Sequence, residues 1–138
     1  MSKGSLSGAY VEGGYVLGNP RNQWSAFDEK NGRVALTVWS DQIDRSGALP
    51  VIDTSNGRPI SDWGHRVGNK VRIRHIAWAL QNAGGWVDLI LLRAKTPITE
   101  PRTVEGARFW EQVRGHISSS DFNPETGNFR VVIHPRPS

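Results

Sequence analysis

Four tryptophans with polar or basic neighbours carry most of the chemistry that this sequence can do. The stretch "GNPRNQWSAF", residues 18–27, sets Arg21, Asn22 and Trp24 just after a Gly-Asn-Pro turn, so a guanidinium, an amide and an indole project from a backbone restricted at Pro20. Asn and Arg can read base edges through paired hydrogen bonds, and an aromatic ring beside them can hold an extruded base. The same residues also make an Asn-Pro turn capped by its own side chains, with Trp24 covering one end of the fold. Residue types alone leave both readings open.

Trp39 beside Asp41, Trp63 and Trp78 share this character, since each adjoins a loop or lies off an apolar stripe. An indole face stacks on a nucleobase with a contribution of roughly 1 to 3 kcal/mol, while nearby Arg and Lys hold phosphates. The charge pattern fits that use. The net charge of +4 is concentrated in residues 65–102, which carry an excess of +5, against −1 before them and 0 after. Arg66, Lys70, Arg72, Arg74, Lys95 and Arg102 supply this basic segment, which is equally consistent with a solvated helix face bearing long cationic side chains. Trp86 and Trp110 fall in segments that call for core side chains and are expected to pack internally.

Other chemistries find little support. The chain has no cysteine, so thiolate metal sites and disulfides are excluded, and His65, His75, His116 and His134 show no short metal-ligand spacing. No metal, cofactor or catalytic residue is therefore expected. A metal nuclease needs an acidic residue two before a lysine, but Arg93 occupies that place before Lys95, which leaves Asp41, Asp88 and Lys95 as the candidates of an alternative enzymatic reading. Phosphate-cradling glycine loops and nucleophile elbows are absent. The longest apolar run, "LILLRA", is too short to span a bilayer, and the expected location is the cytoplasm without membrane association.

The elements that position these groups can be outlined from periodicity. Residues 1–14 are Gly- and Ser-rich and are expected to form a flexible leader, with one domain over 15–138. "AYVEGGYVLGNP" suits a short strand, and in "GRVALTVWSD" Val34, Leu36 and Val38 share one strand face while Ala35, Thr37 and Trp39 share the other. A long loop follows from 44 to 64 with a short strand at "LPVID". Asn69 can cap a helix over "KVRIRHIAWALQNAGG", stopped by Gly84-Gly85, with an apolar stripe of Ile73, Ile76, Ala77, Leu80 and Ala83 beside a sector holding Lys70, Arg74, Trp78 and Gln81. "WVDLILLRAK" is apolar at both parities, as in a strand covered on both faces. "EGARFWEQV" suits a short helix, and the chain closes in a hairpin around "NPETGN". The expected fold is α+β, a curved and mixed or mostly antiparallel sheet compatible with a small PUA-like barrel, with one main and one short helix.

Taken together, "GNPRNQWSAF…GRVALTVW", "RVGNKVRIRHIAWA", "DLILLRAK" and "FNPETGNFRVV" resemble a bacterial domain found alone or ahead of HNH nuclease domains, over residues 17–133. The resemblance implies a target-recognition module similar in role to PUA-like or SRA-like modified-base readers in restriction and defence. It implies that Arg21, Asn22, Trp24, Trp39 and Arg66 line the recognition surface of DNA or RNA. This sequence has no HNH segment, so cleavage would belong to a partner nuclease subunit. A protein-interaction module using exposed tryptophans as anchors is the third reading.

Overall fold

The computed structural model describes residues 6–15, 24–54, 67–94 and 104–137. Among these residues it shows an α+β fold in which two helices flank a mixed eight-stranded sheet. The elements are α1 (Leu6–Glu12), β1 (Ser25–Asp28), β2 (Arg33–Trp39), β3 (Ile43–Asp44), β4 (Val51–Asp53), α2 (Val67–Asn82), β5 (Trp86–Ala94), β6 (Val104–Phe109), β7 (Val113–His116) and β8 (Arg130–Pro135). The hydrogen-bonded order is β1-β2-β5-β7-β8-β4-β3, with β6 also paired to β5.

β5 is the hinge of this arrangement. One edge runs parallel to β2, from Ala35↔Asp88 to Trp39↔Leu92. Its other edge is shared: Trp86 and Val87 pair antiparallel with His116 and Gly115 of β7, while Ile90 to Ala94 pair antiparallel with β6. Among the described residues no pairing joins β1 to β3, so the sheet is open and the expected barrel closure is not seen.

Strand parity then sorts the side chains into two layers. Val34, Leu36, Val38, Val87, Leu89, Val131 and Ile133 point to one face and pack with Ile76 and Ala79 of α2. Ala35, Ile90, Leu92 and Ala107 point to the opposite face and pack with Ala9 and Tyr10 of α1. The continuous apolar run of β5 follows from this, because a strand with a helical cover on each side needs large side chains at both parities.

Four local expectations change. Residues 6–12 form a helix and not a leader or a strand: a seven-residue helix is not stable alone, but Tyr10 and Tyr15 are buried with rings edge to face at 6.2 Å, which tethers it to the sheet. The helix ends at Gly14, whose φ of 87° suits a residue without Cβ. "EGARFWEQV" is not helical. Its residues form β6, a turn and β7, because Phe109 pairs with Ile90 and the Trp110 amide donates to the Leu89 carbonyl at 3.0 Å.

Helix α2 begins at Val67, so Asn69 lies inside it and not at its cap. The Asn69 side chain crosses to the β8 hairpin, where Nδ2 donates to the Thr126 carbonyl at 2.9 Å. Its buried face includes Asn69, Arg72, Ile76 and Ala79, a sector rotated by roughly 50° from the expected stripe at about 100° per residue. The stop at Gly84-Gly85 is formed as the sequence suggests, with both residues at positive φ and the Gly85 amide donating to the Ala79 carbonyl at 3.0 Å. The "NPETGN" hairpin likewise turns through Gly127 at φ 89°.

Candidate functional site

Of the residues expected to form an aromatic and basic pocket, Arg21, Asn22, Trp63, Arg66 and Lys95 lie outside the described residues. Of the others, Lys70, Arg74 and Trp78 follow one another a turn apart along α2 and Trp24 lies against its first turn, while Trp39 and Asp41 lie apart at the end of β2. The Trp24 ring lies against the first turn of α2, where a Cβ on Gly68 would come within 2.6 Å of it. The Arg72 guanidinium sits 4.8 Å from the Trp24 ring centre and 5.0 Å from that of Phe129, and its Nη2 donates to Asn69 Oδ1 at 3.3 Å. Burial lowers the Arg72 pKa to about 10, partly offset by Tyr10, so the side chain stays cationic at neutral pH. Arg72 is thus an internal cation wedged beneath the helix, not part of a surface patch.

Trp39 packs half-buried in the layer under α1. Trp78 is on α2, its ring 4.7 Å from Phe27 and close to Gly32, so it fastens the helix to the β1-β2 hairpin. Beside it the His75 ring nitrogen Nδ1 is 2.7 Å from Ser25 Oγ. Lys70 and Arg74 are exposed on the outer side of α2, and Asp41 is exposed in a single 3-10 turn after β2.

Asp88 is held in a different way. Its buried carboxylate accepts from the Tyr15 hydroxyl at 2.6 Å and from Arg136 Nη2 at 2.6 Å, with Arg33 Nη1 at 3.7 Å. Arg33 in turn pairs with Asp28 at 2.8 Å and lies 4.4 Å from the Tyr15 ring centre. Burial first, and then the Asp88 charge, push the Tyr15 pKa far above its ordinary range, so the hydroxyl remains a donor. Asp88 is opposite Ala35, whereas Asp41 lies beyond Trp39 at the far end of β2, about 13 Å or more along the strand. The two carboxylates of the nuclease reading are not brought together. Among the described residues no group of three or more His, Asp or Glu side chains forms a metal-sized cluster.

The residues that do converge are Trp86, Arg114, His116 and His134. Trp86 opens β5, and His116 faces it across the β5-β7 ladder, while Arg114 faces His134 across the β7-β8 ladder. Because Val87, Gly115 and Ile133 turn inward, parity sends these four outward on the face that carries α1 further along. The Arg114 guanidinium lies 3.9 Å from the Trp86 ring centre. His116 and His134 stand 4.7 Å and 5.2 Å from the same ring and 6.4 Å from each other. All four are half-buried.

Electrostatically this cluster differs from its neighbours. Arg33 and Arg136 are paired to Asp88 or Asp28, and Arg130 is 3.7 Å from Asp121. Among the described residues Arg114 has neither a carboxylate partner nor a hydrogen bond, and its Nε is buried without one, so stacking on Trp86 is what positions it. His116 is oriented by Nε2, which donates to the Gly84 carbonyl at 2.9 Å and leaves Nδ1 as its other polar edge. The arrangement offers a guanidinium stacked on an indole, with two imidazoles beside it and no carboxylate partner among the described residues, which suits a planar, negatively charged ligand.

Sequence reasoning assigned Trp86 to the core and did not single out Arg114, His116 or His134. The signal was present in "VRGHI" and "RVVIH", where polar residues alternate with Val, Gly and Ile at strand period, but which face α1 leaves open is not written locally. No helix of the described residues is long and apolar enough to cross a membrane. No protein-family model, curated protein or solved structure matches this chain.

Proposed function

We propose that this chain is a cytoplasmic nucleic-acid-binding module. The observation that carries the reading is the Arg114-Trp86 stack flanked by His116 and His134 on the outer face of the sheet. An indole and imidazoles provide stacking surfaces for bases, and a guanidinium without a carboxylate partner among the described residues is available to phosphate. Exposed Lys70 and Arg74 lie on the outer side of α2, across the sheet from this cluster. The sequence resemblance to target-recognition modules supports a role in DNA defence, with recognition of a modified or flipped base and with cleavage supplied by a partner nuclease.

The test is binding of labelled DNA and RNA oligonucleotides, plain and carrying base modifications, followed by fluorescence anisotropy. Each phosphate contacted contributes a log-log slope of about −0.7 for a single strand, so one contact lowers affinity by roughly 2.5-fold between about 50 and 200 mM salt and further contacts lower it more. Absence of binding to every oligonucleotide, or a salt-independent affinity, removes the proposal.

A further inference from the structure

Resting on the nucleic-acid reading, we infer that the Trp86 face takes a single strand, with unpaired bases stacked on Trp86 and its imidazole neighbours and a backbone phosphate on Arg114. The geometry separates this ligand from the alternatives. In a duplex the bases are stacked on one another, and their edges lie at the floor of a groove about 8.5 Å deep. A half-buried indole at the start of a strand, level with Arg114, His116 and His134 on the two neighbouring strands, has no such reach. An unpaired base needs only a planar group to lie against, and the half-buried Trp86-Arg114 stack with its two imidazoles sets planar groups side by side on this part of the sheet.

Two further features favour a strand over a lone cation or a neutral aromatic. A divalent metal between His116 and His134, whose ring centres are 6.4 Å apart, would lie beside the Arg114 guanidinium and be repelled by it. A neutral aromatic would leave that guanidinium without a counter-charge. Arg136 follows His134 by two residues on the same strand parity, but it is spent on Asp88, the Glu111 carbonyl and the Val113 carbonyl. Arg114 is therefore the phosphate anchor of this face, and the affinity of the site rests on stacking more than on accumulated charge.

The outer side of α2, with Lys70 and Arg74, is the competing surface and the one suited to a duplex. The experiment compares single-stranded and duplex oligonucleotides of the same sequence against the native protein, Trp86→Ala, Trp86→Phe, Arg114→Gln and the double variant Lys70→Ala/Arg74→Ala. The expected result is preference of the native protein for the single strand by at least about tenfold, a loss of roughly tenfold to hundredfold in Trp86→Ala, and a much smaller loss in Trp86→Phe, which keeps a ring. Arg114→Gln weakens binding and flattens its salt dependence.

A second readout needs no variant. The imidazole proton resonances of His116 and His134 in the native protein shift on adding the single strand, whereas that of His75, under α2, does not. Equal or tighter duplex binding that disappears in the Lys70/Arg74 variant while Trp86→Ala is unaffected, or histidine resonances of the sheet that do not move, overturns the single-strand inference and leaves nucleic-acid binding standing. Failure of every oligonucleotide to bind defeats both.

Discussion

Among the described residues two arginines stack on tryptophans, and they do opposite things. Arg72 lies 4.8 Å from Trp24 beneath α2, is 8% exposed, and also touches Phe129 and Asn69. Arg114 lies 3.9 Å from Trp86 on the open part of the sheet and is half-buried. The pairing is the same in kind, but its surroundings decide its role. In the first, the guanidinium fills space between a helix turn and a hairpin, so its removal is felt as lost packing. In the second, the ring holds a cation at the surface without neutralising it, so its removal is felt by a ligand.

The largest expected effect breaks or confirms this contrast directly. Arg72→Ala lowers stability by about 3 kcal/mol in urea unfolding, because a long buried side chain is lost from a site closed by Trp24 and Phe129. Arg114→Ala costs less than about 1 kcal/mol, the scale of an exposed cation-aromatic contact, yet it reduces oligonucleotide affinity. The opposite ranking in stability would mean that the two stacks have been assigned the wrong way round.

A middle-sized effect concerns the boundary between them. Asp88 neutralises Arg136 and approaches Arg33, and among the described residues it has no ion pair with Arg114. Asp88→Asn is expected to cost about 2 kcal/mol, since the Tyr15 hydroxyl and two guanidiniums lose their anionic partner. The same substitution raises oligonucleotide affinity at low salt, because Arg136 is freed to join Arg114. A nuclease role for Asp88 demands the reverse, loss of a divalent-dependent cleavage.

The smallest effect is a pH dependence on the α2 side. Burial, and then the charge of Arg74, hold the His75 imidazole below its ordinary value of 6.5. The unfolded chain takes up this proton at a higher pH than the folded one, so the contribution to stability is present above about pH 6.5 and is lost as the pH falls through the depressed folded value. Stability measured across this range drops on acidification, and His75→Gln flattens that part of the profile while leaving oligonucleotide binding at pH 7 unchanged.

Much of the framework was legible from residue patterns. The alternation of Val34, Leu36 and Val38, the two-sided apolar run of β5, the glycine stop after α2 and the Gly127 turn are local signals, each with a local physical cause. The candidate site was legible only in kind. Aromatic and basic side chains do meet, but at Trp86, Arg114, His116 and His134, because Trp24 and Trp78 are taken up by contacts of α2 and Trp39 by the layer under α1.

The short segment 6–12 shows why. Its Gly and Ser content hides a helix anchored by Ala9, Tyr10 and the following Tyr15, and by Glu12, which accepts from the Phe109 amide, partners that matter only once the sheet exists. By covering Ile90, Leu92 and Ala107, α1 divides one sheet face into a buried part and an outward part. Periodicity along the chain determined which side chains share a face, since backbone geometry repeats every two residues in a strand and every 3.6 in a helix. Which of those faces is covered, and hence which arginine and which tryptophan meet solvent, was decided by elements distant in sequence, because burial is a property of the assembled layers and not of any one segment.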